Sequence, residues 1–472
     1  MLGYGAWRPD VGGPGSGFAQ VAEGVIPQAA ASGLGYGPFP QLVAGNGAAA
    51  LNADPKGVVS IQNPDGTWAV YAATDSAIQQ LQSDLTWLDI ETGRNVPDAD
   101  DVSFALMGTK LLNTDTADGY KAYDIVAGGT NNAVSGAPAA RFTFVIKNVA
   151  FALATAAAPR KWANCDIGDY SRWVGGIANG GTLEDGGGLI GGADLRNGFG
   201  VMFQESAIRG ITFGAGVSTF AISKVSDGIG CAAARTIAAF DGKVAWWSEA
   251  GCWMMAAGGE PVAVGAEKIN RWAEANIGRQ NFSSMQGAVD PLRKLFLWRA
   301  DSARIIALNY LNGEFTVLPV STAALARIAT PAISIDNLTG TIDALDGTID
   351  GLSGSASPQL GGLNLSRKFA QFTGSNMAAT LESTAINNPV TGLVNWATPI
   401  DDCAGGTLQV GVSARLDADL DWKTAQAKVA DGSTPQRARG HNIAFRRNIP
   451  AGEDWTYVNG VDHLRQASGG KR

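Results

Sequence analysis

Tight turn dipeptides, each set between two short alternating runs, restrict this chain more than anything else in it. Val58–Gln62 and Thr67–Tyr71 flank Asn63, Pro64, Asp65 and Gly66. Ile237–Phe240 and Val244–Trp247 flank Asp241 and Gly242, and Arg304–Leu308 and Phe315–Val317 lie either side of Asn312 and Gly313. Asp-Gly and Asn-Gly accept the positive φ angles that a tight hairpin demands, so each arrangement predicts two antiparallel strands. Phe142–Ile146 with Phe151–Leu153, and Val201–Phe203 with Ile208–Phe213, follow the same pattern. The chain reads as a succession of antiparallel meanders.

Composition agrees. Gly accounts for 62 of 472 residues and charged residues for only 17%, against about a quarter in an ordinary globular protein, so long solvated helices are not its main element. Meanders repeated over most of the length, without the alternating helices of a βαβ design, predict radial repetition in which each four-stranded blade covers the face of the next. The expected fold is therefore all-β: a β-propeller of antiparallel meander blades with few short helices, although no strict period and no recurring Trp-Asp dipeptide marks the blades. One helix is expected, Ala266–Ile277, with Ile269, Trp272, Ala273 and Ile277 on one face.

The two ends read differently from the middle. Residues 11–50 hold a single charge, Glu23, too few to keep a disordered tail solvated. Residues 1–50 are thus expected to be an extended apolar arm, with Trp7, Phe18, Tyr36 and Phe39 lying across the protein itself or across a neighbouring subunit. The propeller would occupy 51–465, completed by C-terminal strands within 378–465, and 466–472 would be a tail. Ala378–Glu382, Gly406–Val412 and Ile443–Thr456 are alternating runs closed by Gly, Pro or Asn, and they point toward assembly rather than catalysis.

A net charge of −8 and a pI near 5.0 argue against a general nucleic-acid binder, which needs a basic stripe to displace counterions. Cys165, Cys231, Cys252 and Cys403, with His441 and His463, make no zinc spacing, and reduced, part-buried thiols are expected. The chain shows no secretory start, and its longest apolar run, Val149–Ala158, is far short of the roughly 20 residues of a membrane helix. Synthesis in a reducing cytoplasm and no membrane insertion are the expectations. Enzymatic signatures are missing. Glu184-Asp185, Asp401-Asp402 and Glu453-Asp454 are adjacent pairs in turns rather than carboxylates facing each other across a bond. There is no nucleophile elbow and no phosphate-binding loop, and Asp65–Trp68 lacks the full pattern of the Asp-box turn of sialidase propellers. Neither catalysis nor a cofactor or metal is expected.

Spread over the chain is a run of short motifs: Tyr4–Asp10, Val25–Gln28 and Gly35–Pro40; then Ser226–Cys231, Phe240–Trp246 and Ile269–Trp272; and finally Ala378–Glu382, Ile449–Thr456 and Gly460–Asp462. In this order they resemble the tail nozzle and hub proteins of short-tailed bacteriophages, also called packaged-DNA stabilisation or tail tubular proteins. The resemblance implies a β-propeller protomer that assembles with itself into a ring, usually a hexamer, below the portal and its adaptor. It also implies a place in the virion tail, contact with fibres, spikes or a needle, and a channel for transiting DNA without sequence-specific binding.

A DNA channel works best with a wall that repels phosphates. Residues 331–365 carry Asp336, Asp343, Asp346 and Asp350 with no Lys or Arg. They are candidates for channel lining, or else turn-capping residues as Asp is in many loops. Residues 436–472 have the opposite balance, 7 − 3 = +4, from Arg437, Arg439, Arg446, Arg447, Arg465, Lys471 and Arg472 against Glu453, Asp454 and Asp462. This segment could meet an acidic neighbour or be a solvated strand face, and Arg446 and Arg447 must point to opposite sides of a strand. The alternative from a different class is a carbohydrate-binding or glycan-processing propeller, with Trp162, Trp173, Trp246, Trp247 and Trp253 as sugar platforms. Tryptophans in meanders also serve as wedges between sheets.

Overall fold

The computed structural model describes residues 2–30, 33–98, 100–155, 158–214, 220–329, 358–415, 418–462 and 466–468. The predicted hairpins form. Gly57–Gln62 pairs with Trp68–Ala73, Ala238–Phe240 with Lys243–Ser248, and Ile305–Asn309 with Glu314–Leu318. Their turns work as the dipeptides require: Asp241, Gly242 and Gly313 have positive φ, and the Asp65 carboxylate accepts hydrogen bonds from the backbone N–H (2.9 Å) and hydroxyl (2.7 Å) of Thr67.

The fold is a β-propeller of antiparallel sheets. In chain order, the first blade is Gly57–Gln62, Trp68–Ala73, Ala77–Leu81 and Trp87–Thr92, and the second Ser103–Met107, Lys110–Asp115, Gly119–Asp124 and Asn132–Ala133. The third is Ala140–Ile146, Val149–Thr155, Ala158–Asn164 and Asn179–Thr182, and the fourth Leu189–Asp194, Phe199–Gln204, Ala207–Phe213 and Phe220–Asp227. The fifth has three strands, Ala238–Phe240, Lys243–Ser248 and Gly251–Ala256. Next comes a four-stranded meander, Gln286–Asp290, Leu295–Arg299, Ile305–Asn309 and Glu314–Leu318, which is continuous with a larger sheet. The last blade combines Ala324–Ile328, Gln359–Leu363 and Phe369–Asn376 with Pro40–Ala44.

Neighbours around this circle share apolar clusters. Tyr71 and Tyr123 join the first two blades, Phe144, Phe151 and Met202 the third and fourth, and Phe203 and Trp246 the fourth and fifth. Leu297 and Leu325 join the long meander to the last blade, and Val70 and Ile328 return to the first. A strand covered on both faces should be apolar throughout rather than alternating. Val149–Thr155 and Ile305–Asn309 are buried at every position for that reason.

The ends of the chain depart from the expected division. Pro40–Ala44 is the outermost strand of the last blade, with Ala44 opposite Ala370 and Leu42 opposite Phe372, so it is this strand, and not the C-terminal ones, that completes the circle. The C-terminal strands build a second sheet with the rest of the N-terminal segment. Its spine is two 16-residue strands, Ile386–Asp401 and Thr434–Ile449, paired antiparallel. Thr407–Ser413 and Ala379–Ser383 flank Thr434–Ile449, Ala19–Glu23 adds to Ala379–Ser383, and Val458–Asp462 adds to Ile386–Asp401. Gln466–Ser468, expected in a tail, pairs with Gly392–Val394. The helix is shorter than expected, Asn270–Asn276, because Glu267 takes a positive φ that no helix continues through. Ile269, Ala273 and Ile277 still face the core.

Candidate functional site

The sheet made by the two chain ends gathers six of the nine motif segments, and a seventh, Ile269–Trp272, lies at the helix docked against it. Leu2 and Gly3 lie opposite Val461 and Gly460, and Tyr36 opposite Val458. Glu23 sits between Thr380 and Val317, and Ala379 opposite Ile449. Gly5 has φ +55, and a Cβ there would collide with the Gly17 carbonyl, so only glycine lets the first turn close on itself. The Asp10 carboxylate accepts from the backbone N–H groups of Arg271 (2.9 Å) and Trp272 (2.8 Å). A residue from the N-terminal segment thereby satisfies the free donors at the start of a distant helix. Ser226–Cys231 and Phe240–Trp246 lie apart, at the fourth and fifth blades.

The aromatic residues expected on an arm belong to this sheet and to its junction with the blades. Trp7 is 3% exposed, donates from Nε1 to the Gln20 carbonyl (3.2 Å) and meets Trp272 edge-on at 5.1 Å. Tyr36 is buried, donates to the Gly5 carbonyl at 2.7 Å, and has its phenol pKa pushed up by burial. Phe39 is buried against Phe372. Phe18 alone is half-buried, beneath the Arg8 guanidinium. Of the two placements open for these residues, the structure has the one across the chain itself. Trp7, Tyr36 and Phe39 are not subunit contacts, because their surface is already taken up by intramolecular packing. Asp336, Asp343, Asp346 and Asp350 lie outside the described residues.

The basic segment divides as strand geometry demands. Arg447 points inward, its side chain fully buried, and pairs with the equally buried Asp401 (Nε–Oδ2 2.9 Å), which also takes Lys428 at 2.5 Å. Tyr4 lies beside this pair, and burial first, then the Asp401 charge, raises its pKa against the opposing pull of Arg447. Arg446 points the other way, onto Glu382 at 2.7 Å and over the Trp422 ring at 4.0 Å. Arg437 and Arg439 are exposed on one face of the long strand pair, near the partly exposed Trp396. Asp402 is engaged by Thr456 and Tyr457, and Asp185 by Arg209 and Lys224. Trp162, Trp173, Trp246 and Trp247 are buried and Trp253 partly so, which makes them wedges between sheets.

A second place escaped the sequence reading. Along the propeller axis lies a cavity of about 580 Å³, lined by the inner strands of all but the fourth blade. Its charged residues are Lys56, Arg235, Arg299, Arg327 and Asp101, a local 4 − 1 = +3 inside a chain of net −8. Arg235 is neutralised by Asp101, in a two-pronged pair with Nε–Oδ2 at 2.8 Å. Arg327 was visible as a lone charge in the apolar strand Ala324–Ile328, and Arg299 as the end of Leu295–Arg299. Nothing in either run indicated that both face one axis. Among the described residues no group of three His, Cys, Asp or Glu side chains could hold a metal ion, and no helix is long and apolar enough to cross a membrane. The four cysteines are free and buried.

No family model matches the chain, and no curated protein matches it. Among solved structures, the WD40 repeats of RRP9 are similar at 10% identity over 62% of this chain and 88% of that one, with a TM-score of 0.41. PorZ, a surface component of the type-IX secretion system of Porphyromonas gingivalis, is similar at 12% identity over 60% of this chain and 35% of its own, with a TM-score of 0.35.

Proposed function

We propose that this chain is a structural, non-catalytic subunit of a short-tailed bacteriophage tail. Copies of it form a nozzle or hub ring, a hexamer, that extends the DNA channel below the portal and adaptor, retains the packaged genome and docks fibre, spike or needle proteins. The observation that carries this reading is the convergence of the motif segments. Tyr4–Asp10, Val25–Gln28, Gly35–Pro40, Ile269–Trp272, Ala378–Glu382, Ile449–Thr456 and Gly460–Asp462 are scattered in sequence yet meet at one sheet and the helix beside it. A resemblance distributed in this way follows a three-dimensional unit rather than a local turn.

Dimensions add a constraint. The axial cavity, at about 580 Å³, has the volume of a small-molecule site rather than of a passage for a duplex whose major groove alone is about 12 Å wide. Under this reading DNA passes between copies around a shared axis, and the bore of each propeller stays closed to it. The exposed Arg437, Arg439 and Trp396 on the long strand pair offer a surface to a neighbouring copy or tail protein. Glycan recognition finds less support, since four of its five tryptophans are buried.

Native mass spectrometry and electron microscopy of the purified chain test the assignment. A six-fold ring with a central opening is the expected result. A monomer at every concentration, retarded on glycan resin, would replace this reading with the carbohydrate-binding one.

A further inference from the structure

The axial cavity carries more positive charge than its walls neutralise. Arg235 has its carboxylate partner, but among the described residues Arg299 donates from Nε to the Thr322 carbonyl at 3.0 Å and Lys56 reaches the carbonyls of Pro97 (3.3 Å) and Asp98 (2.7 Å), none of them a carboxylate. Arg327 lies over the Phe240 ring at 5.5 Å, and its buried Nε has no hydrogen-bond partner among the described residues. A buried donor without an acceptor is costly to keep, and a guanidinium presents a rigid fork suited to two oxygens of a carboxylate or phosphate. Burial, followed by the nearby like charge of Arg235, lowers the pKa of Arg299 against the opposing pull of Asp301 and Asp54, and burial lowers that of Arg327 against the pull of Asp290. Both effects would be relieved by an anion.

The cations stand at different depths. Arg299 lies opposite Gln286, the first residue of an inner strand, whereas Arg327 is the fourth residue of Ala324–Ile328. The wall is mixed: the side chains of Val58, Phe104, Phe142, Ile237 and Leu325 alternate with polar groups such as Ser60, Ser103 and Gln286. At about 580 Å³ the cavity is in the size range of small-molecule sites, in which a few placed polar groups fix a ligand's orientation.

We propose that the axial cavity binds a small organic molecule bearing more than one carboxylate or phosphate group, with one oxyanion at Arg299 and Lys56 and another at Arg327. The site belongs to the single chain and does not depend on ring formation.

Isothermal titration at constant ionic strength tests it, with citrate as the carboxylate probe and inorganic pyrophosphate as the phosphate probe. At least one should bind with a dissociation constant below about 1 mM, and which one does so identifies the oxyanion. Arg299→Gln and Arg327→Gln should each weaken that binding roughly tenfold. Arg279→Gln, which alters an exposed pair with Glu274, should leave it unchanged. If Arg299→Gln does not fold, Arg327→Gln carries the comparison. No binding of either probe to the wild-type chain up to about 10 mM overturns the proposal, and so does an equal loss in Arg279→Gln, which would mark a general charge effect.

Discussion

The wheel of blades is antiparallel and the sheet at the chain ends nearly so, with Glu23 and Val317 in parallel register, yet the two are assembled from opposite kinds of contact. Within a blade each strand pairs with the one beside it in sequence, as Lys243–Ser248 does with Gly251–Ala256, apart from the closing strand Pro40–Ala44 of the last blade. In the terminal sheet Leu2 meets Val461, and Ala19 meets Ser383. Closing such long loops carries a larger entropy cost, which the blades reduce by bringing the two ends of the chain together. The difference assigns the two regions distinct roles: the blades supply the frame, and the ends act as its clasp, with Pro40–Ala44 shutting the last blade.

Truncation should break this comparison most severely. A chain beginning at Gly45 loses the closing strand together with the buried Trp7, Tyr36 and Phe39, and it should show no cooperative thermal transition by calorimetry. A chain beginning at Pro40 keeps the closing strand and should retain a weakened transition, since its last blade is still complete. If both truncated chains melt within a few degrees of the full chain, where 1 kcal/mol shifts the midpoint by only about 2–4 °C in domains of 150–250 residues, the ends are not a clasp.

Next in size is a single substitution inside the frame. Trp246 is fully buried, packs on Phe203 at 5.0 Å and donates to the Gly230 carbonyl at 3.0 Å, filling the wedge between the fourth and fifth blades. Trp246→Ala should cost about 3–5 kcal/mol, as other large-to-small core changes do, read as a lower urea midpoint at unchanged slope. A loss under about 1 kcal/mol would mean that this wedge does not hold neighbouring blades together.

The same contrast explains what the residues revealed in advance. Hairpins were legible because Asp-Gly and Asn-Gly act on their immediate neighbours, whereas the run Val149–Ala158 showed in sequence that it is too short for a membrane helix, not that its strand is covered on both faces. Pairing across hundreds of residues leaves no such mark. Pro40–Ala44 has a Pro and only five residues, so it reads as part of an arm although it closes a blade. Strand alternation set Arg446 and Arg447 on opposite sides without saying which is inward, and Asp401, the partner of Arg447, ends the strand Ile386–Asp401 beside a Gly-rich stretch that looks solvated in sequence. The axial cations were hidden for a related reason: each comes from a different sheet, and only the circle sets them facing one cavity.

The buried ion pair sharpens the comparison by testing the clasp from within. Asp401 accepts from Arg447, from Lys428 and from the Cys403 N–H (3.1 Å), while Arg447 also donates to the Gly405 carbonyl at 2.7 Å. With both side chains fully buried, Arg447→Met leaves a carboxylate in a dry interior with one cation instead of two. The expected loss is about 3 kcal/mol, at the low end for a broken buried pair because Lys428 remains. Replacing both members, Arg447→Met with Asp401→Asn, should cost less than the sum of the two single changes, since neither charge is then stranded. Urea unfolding of the three variants measures the coupling directly. Additive losses would show that the pair is incidental, and that apolar packing around Tyr4 and Trp455 alone holds the chain ends together.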